Sequence, residues 1–127
     1  MSIFESGEDY LEAILMVSEN KSEVHAIDIV NELGFSKPSV SIALKKLKEQ
    51  GYITIDLNNH LHLTDSGMDV AKKIYERHKV LTSILESLGV NKETAEDDAC
   101  KLEHDLSDES WNAIKNYYIV NLKKEGN

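Results

Sequence analysis

The sequence contains a single cysteine, Cys100, and has no run of about 18 apolar residues. One cysteine excludes an intrachain disulfide framework and is typical of a reducing compartment. The missing apolar run excludes a membrane-spanning helix, and the acidic N-terminal segment lacks the pattern of a signal peptide. The chain also has no nucleophile–base pair and no zinc-hydrolase motif. We therefore expect a cytoplasmic protein that is not an enzyme and has no membrane partner.

Negative charge predominates, since 23 acidic residues against 14 basic ones give a net charge of −9. Residues 1–20 contribute −5 and residues 65–127 contribute −4, whereas residues 21–64 are balanced. Affinity for nucleic acid depends on the charge that faces the phosphates rather than on the total charge. The two acidic segments therefore predict cation binding, and the neutral middle is compatible with a local basic helix.

Hydrophobic periodicity predicts three helices in the first half, over residues 5–19, 26–33 and 36–49. Gly34 is a helix stop after the second, and Ser36 is an N-cap for the third. Two alternating runs flank Asn58 and Asn59, and they predict a β-hairpin because asparagine tolerates the positive φ of tight turns. Helices followed by a hairpin in this order are typical of a winged helix-turn-helix.

The second half reads as helical throughout, with helices predicted over residues 65–88, 91–106 and 108–122. We expect a winged-helix DNA-binding domain at 1–73 and a helical metal-binding and dimerisation domain at 74–127. Short helices with a broad apolar face bury little alone, so the second domain is expected to pair with another copy. The predicted fold class is mostly α with a small β-hairpin wing, in which a winged helix-turn-helix precedes an all-helical dimerisation domain.

The third helix is the predicted DNA-reading element, because this helix of the motif enters the major groove. Its lysines also fit a solvated face, so a protein-interaction winged helix is the alternative. The tip of the wing, with His60 beside it, is expected near the DNA backbone or the minor groove. The residues predicted to contact DNA are Ser36, Lys37, Pro38, Ser39, Ser41, Lys45, Lys46, Asn58 and Asn59.

A second group of residues suggests a metal site. Cys100, Glu103 and His104 have i, i+3 and i+4 spacing, which places them on one face of a helix. A thiolate, a carboxylate and an imidazole suit a first-row divalent metal better than Ca²⁺ or Mg²⁺. The spacing fits equally a buried structural cysteine beside polar surface residues. Further candidate donors are Asp9 and Glu12, one turn apart, and His78.

Five segments match a family pattern: EDYLE at 8–12, SKPSVS at 36–41, LTDSG at 63–67, RH at 77–78 and ACKLEHDLS at 99–107. Through them, nearly the whole chain resembles the diphtheria-toxin-repressor family of metal-dependent repressors and its manganese-transport-regulator branch, in the short form without an SH3-like domain. The resemblance implies a homodimer that binds a double-stranded DNA operator and represses metal-uptake genes. It implies Mn²⁺ or Fe²⁺ as corepressor, binding of Co²⁺, Zn²⁺ or Cd²⁺ in vitro, and no small organic ligand.

The resemblance also assigns the metal ligands, which are Asp9, Glu12, His78, Cys100, Glu103 and His104, with Glu96 as a further candidate. This set is a hybrid of two branches. The manganese branch typically has Glu in place of Cys100, whereas iron-type members have Met in place of Asp9. In the third helix Ile42 replaces a polar base-contacting residue, which leaves the operator sequence open.

The expected mechanism is that the metal joins the N-terminal helix to the helices of residues 74–107. This would fix the spacing between the two DNA-reading helices of a dimer. The alternative is a metal-independent winged-helix regulator in which Cys100 is a redox switch.

Overall fold

The structure, a computed structural model, describes the backbone of residues 5–123 and the side chains of residues 7–122. The outermost ends of the two predicted domains, 1–4 and 124–127, lie outside the described residues. The chain divides into two compact units, Met1–Lys73 and Ile74–Asn127. Its elements are α1 (Glu5–Ser18), α2 (Ala26–Leu33), α3 (Lys37–Glu49), β1 (Ile53–Ile55), β2 (Leu61–Leu63), α4 (Asp65–Ser87), α5 (Lys92–Leu102), α6 (Asp108–Tyr118) and a π-helical turn (Ile119–Lys123). No helix among the described residues has the length and apolar character needed to cross a membrane.

In the first unit, local capping interactions determine where α2 and α3 begin and end. The Asp28 carboxylate accepts a hydrogen bond from the His25 backbone N–H at 2.8 Å and so caps the start of α2. Gly34 adopts a left-handed conformation with φ 73° and ends this helix. The Ser36 hydroxyl then accepts a hydrogen bond from the Ser39 N–H at 3.2 Å and begins α3. These boundaries confirm the predicted helix-turn-helix.

The wing is a two-stranded antiparallel hairpin in which Ile53 pairs with Leu63 and Ile55 with Leu61. Asn59 has φ 64° and is the only described non-glycine residue with a positive φ, as its turn requires. The inward side chains of the hairpin complete a core with the three helices. Its buried members include Leu11, Ile14, Ile29, Val40, Leu44, Leu47, Ile53 and Leu61.

Gly67 allows the first turn of α4 to approach the end of the hairpin closely. A Cβ atom at this position would lie 2.0 Å from the carbonyl oxygen of Tyr52, a distance that no side chain tolerates. The Thr64 hydroxyl accepts a hydrogen bond from the Gly67 N–H at 3.1 Å and donates one to the Gly51 carbonyl at 2.7 Å. The start of α4 is therefore an integral part of the first unit.

In the second unit, two helices end earlier than their periodicity predicts. α5 ends at Leu102 rather than at residue 106, and α6 ends at Tyr118, after which the chain forms a π-helical turn. The Arg77 guanidinium lies at the end of α5 and binds the carbonyl oxygens of Glu103 and Leu106 at 3.2 and 3.3 Å. This tertiary contact gives partners to carbonyls that the helix itself leaves unbonded. The mostly helical architecture with a hairpin wing confirms the predicted fold class.

Candidate functional site

The exposed face of α3 is the candidate nucleic-acid surface. Val40, Leu44 and Leu47 form its buried face, and the helix carries four lysines and one glutamate. The exposed residues include the seven predicted contacts Ser36, Lys37, Pro38, Ser39, Ser41, Lys45 and Lys46, and also Ile42, which is 70% exposed. An apolar side chain so placed can contact a thymine methyl group in the major groove.

Two of the predicted contacts have a structural role as well. The Ser36 hydroxyl donates a hydrogen bond to the Ser39 hydroxyl at 2.9 Å while it accepts one from the Ser39 N–H. Both side chains thus stabilise the first turn of α3. At the tip of the wing, Asn58 and Asn59 are exposed. Leu57 beside them is fully exposed, although it belongs to a run whose alternating pattern predicted a strand.

The candidate metal centre in the second unit is built around the Glu103 turn, which comprises residues 103–105 directly after α5. Glu103 is fully buried although it is acidic. One of its carboxylate oxygens lies 3.6 Å from Nδ1 of His78, and the other lies 3.7 Å from Nε2 of His104. The structure therefore brings three of the predicted ligands together, with the carboxyl group between two imidazole rings.

The electrostatic surroundings of His78 favour the form that binds metals. Burial lowers the pKa of His78 below its usual value, and the charge of Glu96 opposes this shift by raising the pKa. The neutral imidazole has the free lone pair that a metal requires, so burial prepares this side chain as a donor. Glu96 itself lies exposed on α5.

The predicted helix over residues 91–106 ends at Leu102, so Glu103, its αR C-cap, and His104 lie in the turn that follows it, and the assignment of Cys100 as a ligand stays a prediction. Cys100, in the last turn of α5, is exposed. Its sulfur belongs to none of the clusters of three or more potential metal ligands found among the described residues. In the first unit, Asp9 and Glu12 lie one turn apart on α1, where Asp9 is half-buried and Glu12 is buried.

Arg77, which stands in the sequence as part of the RH segment at 77–78, positions the Glu103 turn. Besides the two carbonyls, its guanidinium binds Asp108 at 3.1 Å and lies 5.5 Å from the centre of the Trp111 ring. It fixes the backbone on which Glu103 and His104 are carried. The available signal was that Arg77 is the single arginine of the chain and precedes His78 directly.

The donors of the Glu103 turn fit a divalent transition metal. Two atoms bonded to one ion at about 2.1 Å each can be at most about 4.2 Å apart. Both nitrogen–oxygen distances at Glu103 are shorter than this limit and longer than a hydrogen bond. A buried carboxyl group held in this way is costly unless a cation compensates it.

Two family models match the chain. One, described as iron dependent repressor, N-terminal DNA binding domain, covers residues 2–61. The other, described as iron dependent repressor, metal binding and dimerisation domain, covers residues 64–119. Together they span both units.

Related proteins and solved structures agree with these models. An HTH-type transcriptional regulator of Methanocaldococcus jannaschii is 38% identical over 87% of this chain and 90% of its own length. The HTH-type transcriptional regulator MntR of Bacillus subtilis is 34% identical over 86% of this chain and 75% of its own length. A manganese-dependent transcriptional repressor in complex with manganese superposes with a TM-score of 0.79 at 30% identity, over 87% of this chain and 51% of the other. The manganese regulator SloR gives a TM-score of 0.79 at 26% identity, over 92% and 54%. The chain spans about half the length of these two structures.

Proposed function

The chain belongs to the iron-dependent repressor family of metal-dependent transcriptional regulators, and on this basis we propose that it represses metal-uptake genes with Mn²⁺ or Fe²⁺ as corepressor. Members of this family bind DNA as homodimers and are regulators rather than enzymes. The metal-independent alternative, with Cys100 as a redox switch, gains no support from any relative. We place the action of the protein in the cytoplasm, where a repressor has access to its operator.

The observation that carries the proposal is the buried Glu103 carboxyl group between the imidazoles of His78 and His104. A side chain of this kind is rarely buried unless it has a charged partner or a metal. We propose that Asp9 and Glu12 of α1 act as ligands together with these three residues. We propose that Cys100 and Glu96 do not bind the ion directly, because neither belongs to a cluster of potential ligands found among the described residues.

The donor chemistry supports an early transition metal. Carboxylates and imidazoles suit Mn²⁺ and Fe²⁺, whereas a thiolate ligand favours later and softer ions. The exposure of Cys100 leaves the carboxylate and imidazole character of the set dominant. Solved relatives include a complex with manganese and ScaR with bound Zn²⁺ or Cd²⁺, so we expect Co²⁺, Zn²⁺ and Cd²⁺ to bind in vitro.

The proposed mechanism is a shift between conformations. A bound cation supplies positive charge that offsets the acidic ligands. Without that charge, Asp9, Glu12 and Glu103 repel one another, and few dimers hold their α3 helices at the spacing that DNA requires. If the competent form is populated at a few per cent, about 2 kcal/mol of preferential binding makes it the major form.

A groove in the second unit supports the homodimer. It encloses about 340 Å³, and Leu88 and Val120 of the same unit are 75% and 62% exposed. Apolar surface of this kind is usually buried against a partner. The side chains that line the groove are Leu81, Ile84, Leu85, Leu102, Ala113, Ile114 and Tyr117.

The decisive experiment measures DNA binding at buffered concentrations of free metal. A duplex is first selected from a random pool with the Mn²⁺-loaded protein, and its affinity is then measured with Mn²⁺, Fe²⁺, Zn²⁺ and chelator. We expect tight binding with Mn²⁺ or Fe²⁺ and loss of binding with chelator. Glu103→Gln should lose the metal response, whereas Asp97→Asn, at an exposed position of α5, should keep it. Equal affinity of the wild type in Mn²⁺ and in chelator contradicts the proposal.

A further inference from the structure

The wing carries a second cluster of donor side chains, separate from the Glu103 turn and formed within the first unit. We propose that Asp56, His60 and His62 form a surface transition-metal site of the Zn²⁺ type, with two imidazoles, one carboxylate and an open coordination position. We name this group the wing cluster. Its three donor atoms lie within 4.8 Å of one another.

The geometry of the wing cluster is close to that of a metal site. One oxygen of Asp56 lies 3.0 Å from Nε2 of His62 and 3.3 Å from Nδ1 of His60. Ligands of a tetrahedral ion at about 2.0–2.1 Å are separated by about 3.3–3.4 Å. Small rotations of exposed side chains therefore suffice to admit an ion. The His62 ring proton, which is shared with Asp56, would move to the other ring nitrogen.

The backbone of the wing holds the carboxylate in position without using the oxygen that faces the rings. The other oxygen of Asp56 accepts hydrogen bonds from the N–H groups of Asn58 and His60, at 2.8 and 3.0 Å. These bonds form the turn of the hairpin. The structural role of Asp56 and its role as a ligand thus fall on different atoms of one side chain.

His60 is oriented from its opposite side. The carboxylate of Glu23 lies 3.8 Å from Nε2 of this ring, and His25 contacts the ring edge-on with 4.7 Å between ring centroids. When a cation occupies the Nδ1 side, the ring proton is on Nε2, where Glu23 offers it an acceptor. Metal-binding histidines commonly have such a carboxylate partner.

The class of ion follows from the donors and their exposure. Two imidazoles and one carboxylate with an open position are the ligand set of accessible zinc sites. The side chains of Asp56 and His62 are 39% and 56% exposed, so an ion has direct access. Occupation changes the charge of the wing by two units, beside the surface that the proposed function places near DNA phosphates.

The test counts the Zn²⁺ ions bound by the full-length chain in equilibrium dialysis at buffered free Zn²⁺. We expect His62→Gln to bind one ion fewer per chain than the wild type, or to bind that ion at least tenfold more weakly. Glu49→Gln is the control, because it removes an exposed carboxylate of α3 outside the wing cluster, and it should bind Zn²⁺ as the wild type does. Far-ultraviolet circular dichroism verifies that all variants are folded.

A Glu103→Gln background separates this inference from the proposed function. In that variant the wing ion should remain, and Zn²⁺ should shift the imidazole ¹⁵N resonances of His60 and His62. Equal ion counts together with equal Zn²⁺ affinities for the wild type and His62→Gln overturn the proposal. So does an extra ion that binds only at millimolar free Zn²⁺, which would be an adventitious ion only. Neither result depends on metal-controlled DNA binding.

Discussion

The wing cluster and the Glu103 turn have the same chemical composition and opposite surroundings. In each, a carboxylate lies between two imidazole rings, at Asp56 on the exposed wing and at Glu103 in the interior of the second unit. Water and backbone N–H groups solvate Asp56, whereas burial removes water from Glu103. Because a buried charge is expensive without compensation, we expect a bound cation to stabilise the second unit. We expect the exposed wing to fold without a cation.

The largest expected effect comes from Arg77, which supports the backbone of the Glu103 turn. Arg77→Ala removes the guanidinium that binds the Glu103 and Leu106 carbonyls. We expect a loss of about 3 kcal/mol or more in the free energy of unfolding, since buried backbone acceptors and a buried charge network lose their partner. Thermal and urea unfolding measure the loss. Metal affinity should fall as well, because the backbone of Glu103 and His104 is released.

Two controls test whether the geometry of Arg77 matters or only its charge. Arg77→Lys keeps the charge but cannot bind two carbonyls and Asp108 in one fork, so it should be intermediate. Lys101→Ala removes an exposed cation from the end of α5 and should be nearly neutral. If Arg77→Lys unfolds and binds metal as the wild type does, the positioning role of the guanidinium is refuted.

The second prediction concerns the coupling of metal to stability. At a free Mn²⁺ concentration 100 times the dissociation constant, the wild type should gain about 2.7 kcal/mol in the free energy of unfolding. Glu103→Gln should lose most of this gain, yet in chelator it should be at least as stable as the wild type, because it no longer buries an anionic group. Urea unfolding with and without Mn²⁺ measures both. A full Mn²⁺-dependent gain in Glu103→Gln would show that the ion binds elsewhere.

The sequence predicts the first unit closely because its boundaries are set locally. Gly34, Ser36 and Asn59 each fix a turn or a cap through their own conformational or hydrogen-bonding preference. The end of α5 could not be predicted in the same way. There the carbonyl of Glu103 is bound by Arg77, which lies 26 positions earlier in the chain, so the contact is tertiary.

The sequence named candidate ligands, whose assignment stays a prediction, but it did not give their arrangement. Both the spacing and the family resemblance indicated Glu103 and His104 as ligands, and both residues lie in the Glu103 turn. The periodicity predicted a helix that included both residues and therefore placed Cys100 on the same helical face. In the structure α5 ends before them, and Cys100 is exposed. The wing cluster was not predicted, because its three residues appear in the sequence only as an alternating strand pattern. The hairpin register is what brings them together.

A smaller effect is expected at Cys100. Cys100→Glu introduces the carboxylate typical of the manganese branch on a longer side chain than the thiol, so it can reach the ion and should raise the Mn²⁺ response relative to Co²⁺ by about tenfold. Activation of DNA binding at buffered free metal measures the ratio. Cys100→Ser is the control for simple loss of the thiolate. In the wild type, thiolate-to-Co²⁺ charge-transfer absorption that disappears in Cys100→Ser would show that Cys100 binds the ion directly. This result would contradict the proposal that Cys100 is not a direct ligand.

The smallest effect belongs to the exposed carboxylate of the wing. A hydrogen bond from His62, followed by backbone hydrogen bonds, lowers the pKa of Asp56 from its usual 3.8 to about 2. Because the folded pKa is below the unfolded one, Asp56 stabilises the wing above about pH 4, and this contribution is lost as the pH falls towards 2. Asp56→Asn should therefore lower the urea midpoint slightly at pH 6, and the difference from the wild type should shrink between pH 4 and pH 2. Asp65→Asn, which does not face an imidazole, controls for the general effect of charge. A difference that stays constant from pH 6 to pH 2 would show that the carboxylate of Asp56 acts through its shape and hydrogen bonds rather than its charge, and the comparison with Glu103 would then rest on burial alone.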